Sequence, residues 1–300
     1  MNISTLDFNT ILRPSRRPLV ARLAGATSFG DKPPAYRGVC VAPPRGRAPT
    51  ERAMSAGEIA QKTTFVAQCS VCDQTHTFEA DDDYWQCRGG LITQTCPHRR
   101  CIPRHRALAN VLFQLYPRER VPELAIHESS PGPVGVSHWL KANCPHYVGS
   151  GYFPDRPFGE KVGDLRNENL EAQTFPDEAF DVVLHMDVME HVFQPFQALR
   201  EIRRTLRSGG VCLFTAPTYP DRIKSEQVAF LEKGGVRIVG EPEYHGNPQD
   251  KKGSLVTWRY GYDLPLRISR ETGFDVEVRR WYAPRLAIMG PMTEVYILSK

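Results

Sequence analysis

The sequence predicts an α/β protein: a doubly wound, mostly parallel sheet with an antiparallel last strand, preceded by a small cysteine-rich lobe. Three observations carry this. Beyond Arg120, apolar runs of strand type alternate with runs of helical period, the pattern of a sheet covered on both faces. Five of the eight cysteines crowd between Cys69 and Cys101. Ahead of them, residues 1–53 are rich in arginine and proline and hold no sustained amphipathic period. With 300 residues, 41% hydrophobic and 24% charged, there is room for one large domain and one small one. A net charge of +4 is too low for this length to point to nucleic acid, and no apolar run nears the roughly 20 residues of a membrane span. The chain expected is soluble and cytoplasmic.

Residues 1–60 read as a disordered tail, with paired prolines at Pro33-Pro34 and Pro43-Pro44 and few acids to balance the arginines. Transit peptides share that composition, but not its lack of amphipathic period, and the apolar core of a secretory signal is missing. Translation from Met54 is the alternative reading of this segment.

Residues 61–118 form the lobe and a connecting helix. QCSVCDQTHTF sets Cys69 and Cys72 at CxxC spacing, and TCPHRRC sets Cys96 and Cys101 with four residues between them; 23 residues separate the pairs. Two such turns converge on one tetrahedral Zn²⁺, in the manner of a zinc ribbon. Cys87 and His98 are alternatives for the fourth ligand. Four thiolates close the coordination sphere, so the expected role of the metal is to fold the lobe. A redox dithiol is disfavoured because the CxxC does not open a helix after a strand. RHRALANVLFQLYP then places Leu108, Val111, Leu112 and Leu115 on one helical face before Pro117. Arg104 and Arg106 at its start read either as a solvated terminus or as ligands of an anion.

Residues 119–300 carry the sheet. LAIH is the first strand, SHWLKANCP a helix, YVGSGYF the second strand, GDLRNENL a loop and FDVVLHM a strand buried on both faces. Phe196, Leu199, Ile202 and Leu206 recur at helical spacing after Pro195, and Gly209-Gly210 reads as the stop. VCLFTAP is a strand, DLPLRISRETG a helix capped by Gly273, and FDVEVRRW and EVYILSK the last two strands. Ligands of such a sheet bind at the carboxyl ends of its strands. The stretch 218–262 is long for a plain connection and reads as a substrate cover, with Tyr244, His245, Asn247 and Trp258 as contacts.

FDVVLHMDVMEHVFQPFQALREIRRTLRSGGVCLFTAP, residues 180–217, resembles the class I S-adenosylmethionine-dependent methyltransferases, especially their type 11 group; a weaker likeness extends over residues 121–300. YHGNPQDKKGSLVTWRYGYDL, residues 244–264, is similar to a subgroup with a Cys-rich N-terminal lobe and a Ser-Pro turn in place of the glycine loop. The resemblance implies a Rossmann-like fold, S-adenosylmethionine as cofactor, and methyl transfer to an oxygen or nitrogen nucleophile, with a small molecule or saccharide as acceptor. Charge and hydropathy, independently of the resemblance, point to no nucleic-acid or membrane partner.

By the same resemblance, the turn after the first strand cradles the methionine end of the cofactor. That places His127, Glu128, Ser129, Ser130 and Gly132 there, with Glu128 on the ammonium group. Gly151 ends the second strand where the family carries a ribose carboxylate. Asp164 and Leu165 stand where a loop carboxylate meets adenine, and His185, Met186 and Asp187 line the sulfonium. A plain helix N-cap by Ser129 or Ser130, and a surface turn at Asp164, are the structural alternatives. Methyl transfer needs in-line positioning and a base near neutral pKa, for which His191 and His245 are the candidates. The rival reading is a zinc-ribbon binding or regulatory protein with a degenerate methyltransferase fold, favoured by the altered glycine turn. A nicotinamide dehydrogenase is disfavoured, since GxGxxG follows none of the strands.

Overall fold

Alternation along Thr75–Ala80 buries His76, Phe78 and Ala80 on one face, and this pattern makes a half-buried strand. In the computed structural model, which describes residues 64–80, 90–247 and 250–300, β1 (Thr64–Gln68), β2 (Thr75–Ala80) and β3 (Leu91–Ile92) form an antiparallel sheet. The tail read over 1–60 and Cys87 lie outside the described residues. Cys69 and Cys72 sit in the turn between β1 and β2, and Cys96 and Cys101 follow β3. Helix α1 (Pro103–Leu115) comes next; Pro103 occupies its first turn, where the missing N–H has no partner to lose. Leu108, Val111 and Leu112 are fully buried, as their spacing predicts.

The main sheet holds β4 (Ile126–Ser129), β5 (Tyr147–Gly151), β6 (Lys161–Val162), β7 (Leu165–Asn167), β8 (Phe180–Met186), β9 (Leu206–Thr215), β16 (Asp275–Arg279) and β17 (Val295–Ser299). Their order across the sheet is β16-β17-β9-β8-β4-β5-β7-β6. From β9 through β8, β4 and β5 to β7 the strands are parallel. β17 runs antiparallel between β9 and β16, as expected of the last strand, and β6 is an antiparallel edge. Helix α2 (Gly135–Asn143) links β4 to β5, α3 (Pro195–Thr205) links β8 to β9, and α4 (Leu264–Thr272) precedes β16. Gly273 caps α4 in the left-handed region, at φ 73°.

The two faces of the sheet bury different things. Val182 and Leu184 of β8 share a cluster with Phe78, Leu91, Leu108, Leu112 and Ile126, so the lobe and the sheet have one continuous core. Val183 and Phe214 face the other way, against Phe196, Leu199 and Ile202 of α3 and Ile268 of α4. Each large side chain so buried stabilises the fold by about 2 kcal/mol before entropy is counted.

Two expected elements are corrected. LRN of GDLRNENL is strand β7 rather than loop, because it pairs with β5 and β6. Helix α3 stops at Thr205, ahead of the glycine pair, because Leu206 is already extended, fully buried and paired with Phe180. Gly210 lies inside β9, where a Cβ would come within 2.9 Å of the Arg207 carbonyl oxygen and 3.0 Å of that of Asp181. The stretch 218–262 folds as two hairpins, β11 (Ala229–Glu232) with β12 (Gly235–Ile238), and β13 (Tyr244–Asn247) with β14 (Asp250–Leu255), flanked by the pair β10 (Glu226–Gln227) and β15 (Trp258–Arg259). No helix among the described residues is long and apolar enough to cross a membrane.

Candidate active site

Carboxyl ends of the parallel strands converge around Ser129-Ser130, Gly151, Asn167-Glu168, Met186-Asp187 and Thr215. Ser130 has φ 53°, a left-handed conformation that suits glycine and costs a serine about 1 kcal/mol; its N–H donates to the Ser150 carbonyl at 2.7 Å. Glu128, only 1% exposed, accepts hydrogen bonds from the Ser137 hydroxyl at 2.5 Å and the Tyr147 hydroxyl at 2.8 Å. Burial pushes its carboxyl up to about 7, against those two donors. Ser129 is buried beside it, while a Cβ on Gly132 would meet nothing within 4 Å. The glycine this turn requires is Gly135: a Cβ there would fall 2.1 Å from His105 Nδ1, and its N–H donates to the His98 carbonyl at 2.8 Å. The lobe thus presses on the amino end of α2.

Four cofactor assignments do not survive the geometry. His127 is fully buried between the rings of Phe175 and Phe180, 4.8 and 5.2 Å away, with Nε2 on the Ser150 hydroxyl at 2.8 Å. His185 is likewise fully buried, stacked on Phe214 at 4.7 Å. Strand alternation turns both toward the helix α3 face, and burial pushes both imidazoles down to about 3. Asp164 lies in the β6–β7 turn at the amino end of β7, exposed and paired with Lys141 at 2.8 Å. It is at the wrong end of the strand. Leu165 packs its methyls on the bare backbone of Gly149 and Gly151, each about 3.1 Å from where a Cβ would stand. Gly151 does end β5, and Met186 and Asp187 do end β8. Asp187, at φ 53°, accepts from the Thr215 hydroxyl at 2.8 Å and pairs with Arg104 Nε at 3.1 Å. Arg104 therefore carries α1 to the strand ends, whereas Arg106 is fully buried rather than a solvated helix start.

The sequence reading missed what the corrected register exposes. Asn167 is fully buried; its Oδ1 accepts from Phe153 N at 2.8 Å and its Nδ2 donates to the carbonyls of Phe153, Arg156 and Pro157, which shapes the loop after β5. Glu168, also buried, takes Arg166 Nε at 2.7 Å and the Thr174 hydroxyl at 2.6 Å.

Directly after β8, a short 3-10 turn over Met189–His191 brings Glu190 and His191 under the β13–β14 hairpin, where His245 meets them. The two imidazoles lie 5.1 Å apart at 88°. Thr257 ties the hairpin down, its N–H on the Glu190 carbonyl at 2.7 Å. The sequence thus named both histidines, and the structure brings them together around the Glu190 carboxylate of the same HMDVMEH segment. Trp258 is no substrate contact: it is buried against Phe196 and Tyr260, with Nε1 on the Phe193 carbonyl. Tyr244 is exposed, and the Asn247 side chain lies outside the described residues.

In the lobe, Cys96 Sγ lies 4.0 Å from Cys69, 3.7 Å from Cys72 and 3.3 Å from Cys101. His76 reaches Cys72 Sγ with Nε2 at 3.1 Å and Thr95 with Nδ1 at 2.7 Å. His98 is not in the cluster; its ring faces His138 at 3.2 Å. Hydrogen bonds from Cys101 and Cys96 hold Cys69 far below the ordinary thiol value, while burial raises Cys72 to about 12. Arg106 ties the lobe to the sheet domain, donating to the carbonyls of Leu91, Cys101 and Ala287.

Residues 153–214 match a family model described as a methyltransferase domain, a stretch from the loop after β5 through β7, β8 and α3 into β9. A "Probable S-adenosylmethionine-dependent methyltransferase" of Mycolicibacterium smegmatis is 41% identical over 54 residues, 18% of this chain and 21% of that one. A ubiquinone/menaquinone biosynthesis C-methyltransferase of Hahella chejuensis is 38% identical over 76 residues, 24% and 30% of the two chains. A ubiquinone biosynthesis O-methyltransferase of Cereibacter sphaeroides is 44% identical over 50 residues, 17% and 20%. Among solved structures, an S-adenosylmethionine-dependent methyltransferase of Mesorhizobium loti is 17% identical, with a TM-score of 0.43 over 65% of this chain and 98% of that one. The matched stretch spans less than a third of the curated relatives' length. What the comparisons place on this chain is a methyltransferase-domain segment, and it coincides with the strands that end at the candidate site.

Proposed function

We propose that this protein is an S-adenosylmethionine-dependent methyltransferase acting on an oxygen or nitrogen nucleophile of a small molecule or saccharide. The observation that carries the reading is the coincidence of the methyltransferase-domain match with β8 and β9, neighbouring strands whose carboxyl ends carry Asp187 and Thr215 and lead into Glu190. The turn from Glu128 to Gly132 faces the methionine end of the cofactor, with the Glu128 carboxylate as counter-ion to its ammonium group. Gly151, Met186 and Asp187 line the remainder. His191 and His245 mark the acceptor end, with either imidazole as acceptor of the nucleophile's proton. One of the relatives is a ubiquinone biosynthesis O-methyltransferase, which favours a small-molecule acceptor methylated on oxygen.

Cys69, Cys72, Cys96 and Cys101 hold a structural zinc ion in this reading. Sulfurs about 2.3 Å from one tetrahedral centre stand about 3.8 Å apart, and the distances from Cys96 bracket that value. Free thiols fit a cytoplasmic location. A second reading, a zinc-bearing binding protein on a cofactor-free fold, is favoured by one observation: Ser130 keeps the backbone of a glycine turn without the glycine. Calorimetric titration with S-adenosylmethionine separates the two. One site per chain supports the enzyme; no heat and no thermal shift at millimolar cofactor refutes it. Labelled methyl transfer across a panel of phenols, sugars and amines then identifies the acceptor class.

A further inference from the structure

The Glu190 carboxylate is buried to 1% exposure, and neither oxygen has a hydrogen-bond partner among the described residues. A buried ionised carboxylate left this way costs several kcal/mol unless a cation compensates it. Two imidazole nitrogens face it: His245 Nδ1 at 3.7 Å and His191 Nε2 at 3.9 Å from Oε1. Those separations are too long for hydrogen bonds. They suit atoms that share one ion, since ligands about 2.1 Å from a common centre stand roughly 3 to 4 Å apart.

Each ring is also oriented as a ligand. His191 donates its Nδ1–H to the Leu255 carbonyl at 2.8 Å, which leaves the Nε2 lone pair aimed at Glu190. The Nε2–H of His245 donates to Glu243 at 3.2 Å, which leaves Nδ1 aimed at the same point. Glu243 is held in turn by the Tyr219 hydroxyl and by Arg259 Nε, each at 3.1 Å. A carboxylate or carbonyl fixing the far nitrogen of each histidine is the outer shell that protein metal sites use.

We propose that Glu190, His191 and His245 bind a divalent first-row transition metal ion. Two nitrogens and one oxygen are the donor set for such an ion rather than for Mg²⁺ or Ca²⁺. Three protein ligands leave coordination positions open, and the side chains of His191 and His245, 18% and 32% exposed, open the site toward solvent. Resting on the methyltransferase reading, the open positions take the acceptor: a hydroxyl bound there loses its proton to solvent more readily, and with the ion bound this replaces the proton-accepting role otherwise open to either imidazole.

The test uses the full chain with its zinc content measured. Mn²⁺ binding is followed by the loss of the free-ion electron paramagnetic resonance signal, and Co²⁺ binding by its visible absorption. Thiolate ligation of Co²⁺ in the lobe gives strong sulfur charge-transfer bands, so the two sites are told apart. One ion per chain is expected outside the lobe, with affinity lowered about 10-fold or more by Glu190→Gln and by His245→Ala and zinc content unchanged. Binding of neither ion at millimolar concentration, or binding unaltered in both variants, overturns the proposal. Because His245 stands on a partly exposed hairpin, its alanine variant tests the site even if Glu190→Gln perturbs folding. S-adenosylmethionine titration of the same variants keeps this result separate from the methyltransferase reading: metal binding without cofactor binding refutes that reading alone, and the converse refutes the metal site alone.

Discussion

Among the described residues, two clusters combine side chains of the metal-ligating types, and they differ in burial, donor set and the distance in sequence between their members. In the lobe, sulfurs from two tight turns close on each other, with Cys69, Cys96 and Cys101 buried and Cys72 partly so, and Arg118 donates to the backbone of Ser70 and Val71 between the CxxC cysteines. Beyond the carboxyl end of β8, a carboxylate and two imidazoles come from a turn and a distant hairpin, and the hairpin side stays open to solvent. Under the two proposals, the first is built by local sequence and serves the fold, and the second is assembled by tertiary structure and leaves positions free. The contrast is that between a closed and an open coordination sphere.

The largest expected effect separates them directly. If the proposed zinc ion is bound, Cys96→Ala removes one of its ligands, and because the lobe shares its core with the sheet the whole chain destabilises by on the order of 5 kcal/mol or more, read as a fall of roughly 10 °C or more in Tm. Glu190→Gln, by contrast, removes a buried charge and leaves Tm unchanged or raised. If both variants melt alike, the distinction drawn here is wrong. Next, Arg106→Met strips three carbonyls of their donor and costs about 3 kcal/mol, measurable by urea unfolding.

Glu128 gives a smaller, pH-dependent effect. Its folded-state pKa of about 7 lies above the ordinary 4.5, so the folded form holds the proton more tightly. Its contribution is therefore most favourable below pH 4.5 and is lost as pH rises through 7. Glu128→Gln flattens that window and raises stability at pH 8 by on the order of 3 kcal/mol at most; cofactor affinity in the native chain rises over the same interval, as the carboxylate forms. An unchanged pH profile in the variant removes Glu128 from this account. Smallest of all, Asp164→Ala leaves S-adenosylmethionine affinity as it was, because the side chain stands exposed at the amino end of β7. A measurable loss there would restore the loop register first expected.

How much of this was legible follows from what each residue answers to. The unit β8, α3 and β9 announced itself because two strands buried on both faces flank a helix with an apolar stripe. β7 did not, since three residues make too short a run for alternation to speak, and with the strand unseen the Gly-Asp pair drew the adenine contact to Asp164. His127 and His185 carried a usable signal: His185 is in phase with Val183, and strand alternation buries both. Gly135 had none, and Glu190 had none that named its partner. The first answers to His105 on another element, and the second acquires His245 only when a hairpin folds back over it.

One consequence of Arg106 concerns time rather than stability. Its guanidinium joins the lobe to Ala287, a residue 181 positions further along the chain. Closing a loop of that length costs roughly 4–5 kcal/mol of entropy beyond a constant, and nothing repays it until the strands between are in place. Docking of the lobe is thus a late step, and refolding followed at the lobe is expected to lag behind refolding followed at the sheet.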